Sequence, residues 1–76
     1  MSKYSKEFMQ LGINISRYRK FRGLTQEQLA DIIPMSRSYL SHIEAPKMVR
    51  PFSIELLFQI ASALEIEPKL LFEFHE

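Results

Sequence analysis

Apolar residues recur at helical spacing along nearly the whole chain, and the breaks between them fall where local chemistry stops a helix. Phe8, Leu11, Ile15 and Tyr18 make one stripe, the three-and-four spacing of an amphipathic helix. It predicts a first helix from about Ser5 to Arg22, with Gly12 leaving room for a close neighbour. Gly23 can supply the left-handed residue that ends it, and Leu24 folds back on the last turn. Leu29, Ala30, Ile33, Met35, Leu40 and Ile43 carry the helical set across a break at Pro34. Two short helices must therefore pack on each other at an angle. The first opens at Thr25-Gln26-Glu27-Gln28, a capping box in which hydroxyl and amide satisfy each other's backbone N–H groups, and the second opens at Ser36.

From Ala45 to Phe52 there are two prolines and no period, which predicts a loop. Ser53 caps a fourth helix whose stripe is Ile54, Leu57, Ile60, Ala61 and Leu64. Pro68 suits the first turn of a fifth, continuing through Leu70, Leu71, Phe72 and Phe74 to the end. The pattern contains no strand and no internal repeat, so the expected class is all-α.

Length and composition narrow the picture further. With 76 residues and no cysteine, one small domain over 1–76 is expected, held by a packed core without a disulfide or thiolate metal cage. Hydrophobic residues at 46% and charged residues at 25% are ordinary for a globular chain. No apolar stretch approaches the roughly 20 residues that span a bilayer. The start, Met1 to Glu7, lacks the apolar segment of a secretory signal, so a cytoplasmic protein is expected.

The net charge of +1 conceals a polar distribution. Residues 17–50 hold seven Lys/Arg (Arg17, Arg19, Lys20, Arg22, Arg37, Lys47, Arg50) against three Asp/Glu, a balance of +4, whereas residues 51–76 hold one against five, a balance of −4. The basic pole, residues 17–50, contains the two-helix unit at about 25–45, which favours a polyanion approaching from one side. Ordinary solvated helix faces would give the same count. On the second short helix, Arg37, Ser38, Tyr39, Ser41 and His42 lie on the side its apolar residues leave unused. That is how a protein offers hydrogen-bonding groups to the major groove of DNA.

Catalysis is not expected. There is no cysteine nucleophile and no glycine-rich phosphate loop, and His42 and His75 are too far apart in sequence for a helix-borne metal pair. Ser41 and His42 are adjacent and point to different sides of a helix. Neither a cofactor nor a metal is expected, and no small-molecule effector, since no effector domain follows residue 76.

The pattern resembles the helix-turn-helix domain of the Cro/C1 phage-repressor family, also called the XRE family. The resemblance is carried by Leu11-Gly12 with Ile15 and Arg19, by Gly23 to Ala30, by Ser36 to Glu44, and by Ile60 to Ile66, in this order and spacing. It implies an all-α, five-helix, lambda-repressor-like domain, typically bacterial or phage-borne. Such a domain binds operator DNA as a dimer to regulate transcription. Where the family usually turns on a glycine with positive φ, this chain has Pro34, whose ring fixes φ near −65°. A different backbone path is expected there. Ala45-Pro46 also replaces the usual polar-Gly ending of the recognition helix.

Roles follow residue by residue. The helix start at Thr25-Gln26 can receive a phosphate, as the residue matching Gln26 does in the family. The family places the start of the next helix in the major groove, so Arg37 and Ser38 would meet base edges first and His42 the next ones. An Arg37 fork on a guanine would give roughly 1–3 kcal/mol of discrimination. Tyr39 suits a phosphate oxygen, or else lies along the domain surface, and Ser36 is a cap that can also sit near a phosphate. Lys47 and Arg50 would hold the flanking backbone. Arg19 and Glu44 match family positions that form an ion pair, a structural role.

Met48, Val49, Phe52, Phe72 and Phe74 exceed what so small a chain needs to bury alone. Either the loop folds over the core or these residues make a two-fold interface. A homodimer through Phe72 and Phe74 is expected, with its two reading helices about 34–36 Å apart on a near-palindrome. The rival reading is a protein-interaction module, an adaptor or antitoxin on the same fold with DNA binding secondary.

Overall fold

The computed structural model describes residues 3–45 and 51–74. In chain order it has α1 (Ser5–Phe21), α2 (Gln26–Ile32), α3 (Arg37–Glu44), α4 (Ile54–Leu64) and a 3₁₀ turn (Pro68–Phe72). The starts of α2, α3 and α4 sit where the local signals place them. Thr25 Oγ1 accepts from the Gln28 N–H at 3.1 Å while the Thr25 N–H donates to Gln28 Oε1 at 2.8 Å, completing the capping box of α2. Ser36 and Ser53 cap α3 and α4 by accepting from the N–H groups of Tyr39 and Leu56.

α1 ends one residue earlier than its pattern implies. Gly23, at φ +73°, donates to the Lys20 carbonyl, and Leu24 donates to Arg19, which is the double closure of a Schellman motif. α4 ends the same way on a non-glycine. Glu65 sits at φ 58° while its own N–H and that of Ile66 close on Ser62 and Ala61. The Arg22 side chain then crosses from the end of α1 to donate Nε to the Leu64 carbonyl at 2.7 Å and Nη2 to the Glu65 carbonyl at 2.8 Å. The last carbonyls of α4 are thereby satisfied by a cation.

Leu11, Ile15, Leu29, Ala30, Ile33, Leu40, Ile43, Leu57, Ile60, Ala61, Leu64 and Leu71 form one buried core. Gly12 lies at the crossing of α1 and α3, where an added Cβ would overlap the Ile43 carbonyl. The two backbones therefore touch. At the corner between α2 and α3 the Ile33–Pro34 peptide is cis and the Met35 N–H donates to the Ala30 carbonyl at 2.7 Å. The helices stay separate on either side of it.

The expected fifth helix is a correction. Instead of continuing to the end of the chain, it is a single 3₁₀ turn that stops at Phe72. The reason lies in α1, where buried Asn14 donates from Nδ2 to the Leu71 carbonyl at 2.8 Å and to the Glu73 carbonyl at 3.1 Å. Carbonyls that would have propagated a helix are taken by a side chain, and Glu73 is extended. Leu71 is fully buried by this arrangement, whereas Phe72 and Phe74 stay exposed. Phe52 packs edge-on against Phe8 with ring centroids 5.3 Å apart, so this part of the α3–α4 connection does fold over the core. Among the described residues, no helix is long and apolar enough to cross a membrane.

Candidate nucleic-acid interface

α3 is amphipathic in a way that separates its two tasks. Leu40 and Ile43 are buried, and Tyr39 lies half-buried against the same cluster, so one flank is anchored. Arg37 and Ser38 at its start are exposed, and Ser41 and His42, one turn further, are half-buried on the continuation of that flank. Pinning by α1 behind and capping by Ser36 in front hold the start of the helix in place. The Tyr39 ring packs partly against the core.

Thr25, Gln26, Glu27, Arg19 and Arg37 line one open hollow of about 430 Å³ between the starts of α2 and α3. The structure therefore brings together the Thr25-Gln26 corner and Arg37, which the sequence separates. Thr25 is exposed and Gln26 half-buried. Ser36 and Ser38 are exposed nearby on the chain at the helix start. Lys47 and Arg50, together with Met48 and Val49, lie outside the described residues.

Behind the hollow sits a charged network. Arg19 Nε donates to Glu44 Oε2 at 2.8 Å, Arg19 Nη2 to Glu44 Oε1 at 3.0 Å, and Arg19 Nη1 to the Leu24 carbonyl at 2.6 Å. Both side chains are nearly sealed, at 9% and 4% exposure, so the fork operates with little solvent screening. Gln26 joins it: its Nε2 donates to Glu44 Oε1 at 3.0 Å. One N–H of the Gln26 amide thus ties the start of α2 to the end of α3.

That link was invisible in the sequence, as were the roles of Asn14 and Arg22. Nothing local distinguishes a glutamine that contacts phosphate from one that also bridges two helices. Every described buried side-chain nitrogen and oxygen has a partner, which marks a rigid scaffold behind an exposed flank. Among the described residues, no cluster of three His, Asp or Glu is placed to hold a metal.

Comparison with known proteins finds a likeness over most of the chain. A helix-turn-helix family model matches residues 15–71. The HTH-type transcriptional regulator SinR of Bacillus subtilis (strain 168) is 36% identical over 67 residues, which cover 87% of this chain and 60% of SinR. The chain thus spans under two thirds of that relative. The control protein C.SmaI of Serratia marcescens is 37% identical over 62 residues, 80% of this chain and 71% of that protein. Among solved structures, the restriction-modification controller protein C.AhdI from Aeromonas hydrophila superposes with a TM-score of 0.80 at 33% identity, covering 88% of this chain and 98% of that one.

Proposed function

This chain belongs to the Cro/C1-type (XRE) helix-turn-helix family, whose members are DNA-binding transcription regulators and not enzymes, and from that premise we propose that it reads a near-palindromic operator as a homodimer through the major groove. The observation that carries this reading is the exposed start of α3, with Arg37 and Ser38 outward on a helix anchored from behind by Leu40, Ile43 and the Arg19–Glu44 fork.

The Arg37 guanidinium forks onto the O6 and N7 of a guanine. Ser38 and His42 address the neighbouring base edges, and the Tyr39 hydroxyl reaches a phosphate oxygen at the side. Thr25 and the second N–H of Gln26 position a phosphate at the start of α2, with Ser36 near the adjoining backbone. Lys47 and Arg50 hold the flanking backbone by charge. Two copies joined through the C-terminal stretch that bears Phe72 and Phe74 set the two α3 helices about 34–36 Å apart, one helical turn of DNA. Similarity to SinR and to the controller proteins supports regulation at the level of transcription.

Selection of bound sequences from a random DNA pool at two salt concentrations tests this. A regulator enriches a two-fold symmetric site and keeps its preference over random DNA as salt rises. Recovery of only weak, salt-sensitive binding with no enriched sequence would turn the reading toward a protein-interaction module.

A further inference from the structure

Two faces of the domain expose large apolar side chains, and their charges differ. On one, Ile32 and Phe58, each more than half exposed, line a hollow with Glu55 and Glu65 and with no cation in its lining. A second copy seated there about a two-fold axis would bring the carboxylates of both copies together, while the neighbouring Arg22 guanidinium is already engaged by the Leu64 and Glu65 carbonyls. On the other face, a notch of about 240 Å³ runs between α1 and the C-terminal stretch, lined by Asn14, Arg17, Tyr18, Phe21, Leu70 and Glu73. Phe21 on its rim is 84% exposed, and Phe72 and Phe74, which flank Glu73 in sequence, are 47% and 39% exposed.

This second face carries both signs of charge. Arg17 and Glu73 are exposed on the same notch, yet among the described residues neither takes part in an ion pair. A surface with an unpaired cation and an unpaired anion on opposite sides of a two-fold axis is complementary to itself, because the rotation sets each copy's cation against the other's anion. The volume suits an aromatic side chain, since a protein cavity of about 150 Å³ takes up benzene. Asn14 fixes the far wall of the notch by holding the Leu71 and Glu73 carbonyls.

We propose that the homodimer forms across this notch, with Arg17 of each copy paired to the partner's Glu73 and the phenylalanines of the C-terminal stretch closing over the partner's Phe21. The proposal rests on the homodimer reading above and names the surface and the pairing that produce it. It also enlarges the expected interface, adding the α1 residues Arg17 and Phe21 to Phe72 and Phe74.

The test is sedimentation equilibrium of the whole chain with Arg17→Glu, Glu73→Arg and the two combined, each checked by far-ultraviolet circular dichroism. Each single reversal is expected to raise the dimer dissociation constant by roughly tenfold or more. The charge swap should restore it to within about threefold of wild type. Phe21→Ser, at a position whose side chain is solvent-exposed in one copy, should weaken the dimer without lowering the melting temperature of the dissociated chain. A dimer indifferent to both reversals, or one that the swap fails to rescue, overturns the notch while leaving the homodimer reading standing. A wild-type chain that stays monomeric at millimolar concentration overturns both.

Discussion

Arg19 and Glu44, 25 positions apart in the chain, meet as a parallel two-bond fork that ties the last turn of α1 to the last turn of α3. Removing either partner strands a buried charge. Glu44→Ala is expected to lower stability by about 3–5 kcal/mol, read from the midpoint of urea denaturation. Arg19→Lys keeps the charge and loses the planar fork, and it should fall between wild type and the alanine variant. An unchanged midpoint for Glu44→Ala would mean the pair contributes nothing to holding α3.

Arg37 stands on the exposed start of α3, where the proposed contact is to a base. Arg37→Ala should relax preference at one base pair in each half-site by about 1–3 kcal/mol, while leaving the urea midpoint unchanged because nothing in the core touches it. Competition titrations against operators altered at single positions measure this. Equal losses on specific and random DNA would falsify direct readout by this side chain.

Gln26 and Lys47 are proposed to make two different kinds of backbone contact. Gln26→Ala should weaken binding to every sequence alike while leaving the slope of log affinity against log salt in place, since a neutral amide displaces no counterion. Lys47→Ala should weaken binding equally uniformly but reduce that slope by about one unit for each copy bound. A change of sequence preference in either variant would move that residue from positioning to reading.

The two glycines answer to different physics. At Gly12 the added Cβ of alanine meets the Ile43 carbonyl, a backbone group that cannot rotate away. Gly12→Ala should cost about 2–3 kcal/mol and reduce DNA affinity because α1 and α3 must part. Gly23 has φ +73°, and a Cβ added there would meet nothing within 4 Å. Gly23→Ala should therefore cost only about 1 kcal/mol, the local penalty of the left-handed backbone, with DNA binding retained. Thermal melts and one affinity measurement for each variant distinguish the cases.

Glu65 occupies the same left-handed region without being a glycine, at φ 58°. Its carbonyl serves Arg22, and a glycine would keep that carbonyl. Glu65→Gly is expected to raise stability by about 0.5–1 kcal/mol, visible as a higher melting temperature. A loss of stability would show that the carboxylate contributes something the left-handed backbone does not.

What could be read from the sequence was local. Thr25 with Gln28, Ser36, Ser53, Gly23 and the apolar stripes announce themselves within four residues, because caps and helix faces are made by neighbours in the chain. Gly12 was legible as a close approach, and α3 is what approaches. What stayed hidden was long-range. Asn14 reaches a carbonyl 57 residues away, and Arg22 one 42 residues away. The end of the chain looked helical because Leu70, Leu71, Phe72 and Phe74 are good apolar residues at plausible spacing, but a single buried amide diverts their backbone. In the candidate interface, the exposure of Arg37 and Ser38 was visible from the period of α3, whereas the half-burial of Tyr39, Ser41 and His42 and the Gln26 bridge to Glu44 required the helices to be folded against each other.

The backbone contact at Gly12 makes the seating of α3 depend on α1 as well as on α3 itself. Altering the exposed Arg37 or Ser38 leaves that mounting untouched. On the proposed reading, new target preferences would come from exchanging outward side chains one at a time, with the cradle serving unmodified as a reusable chassis.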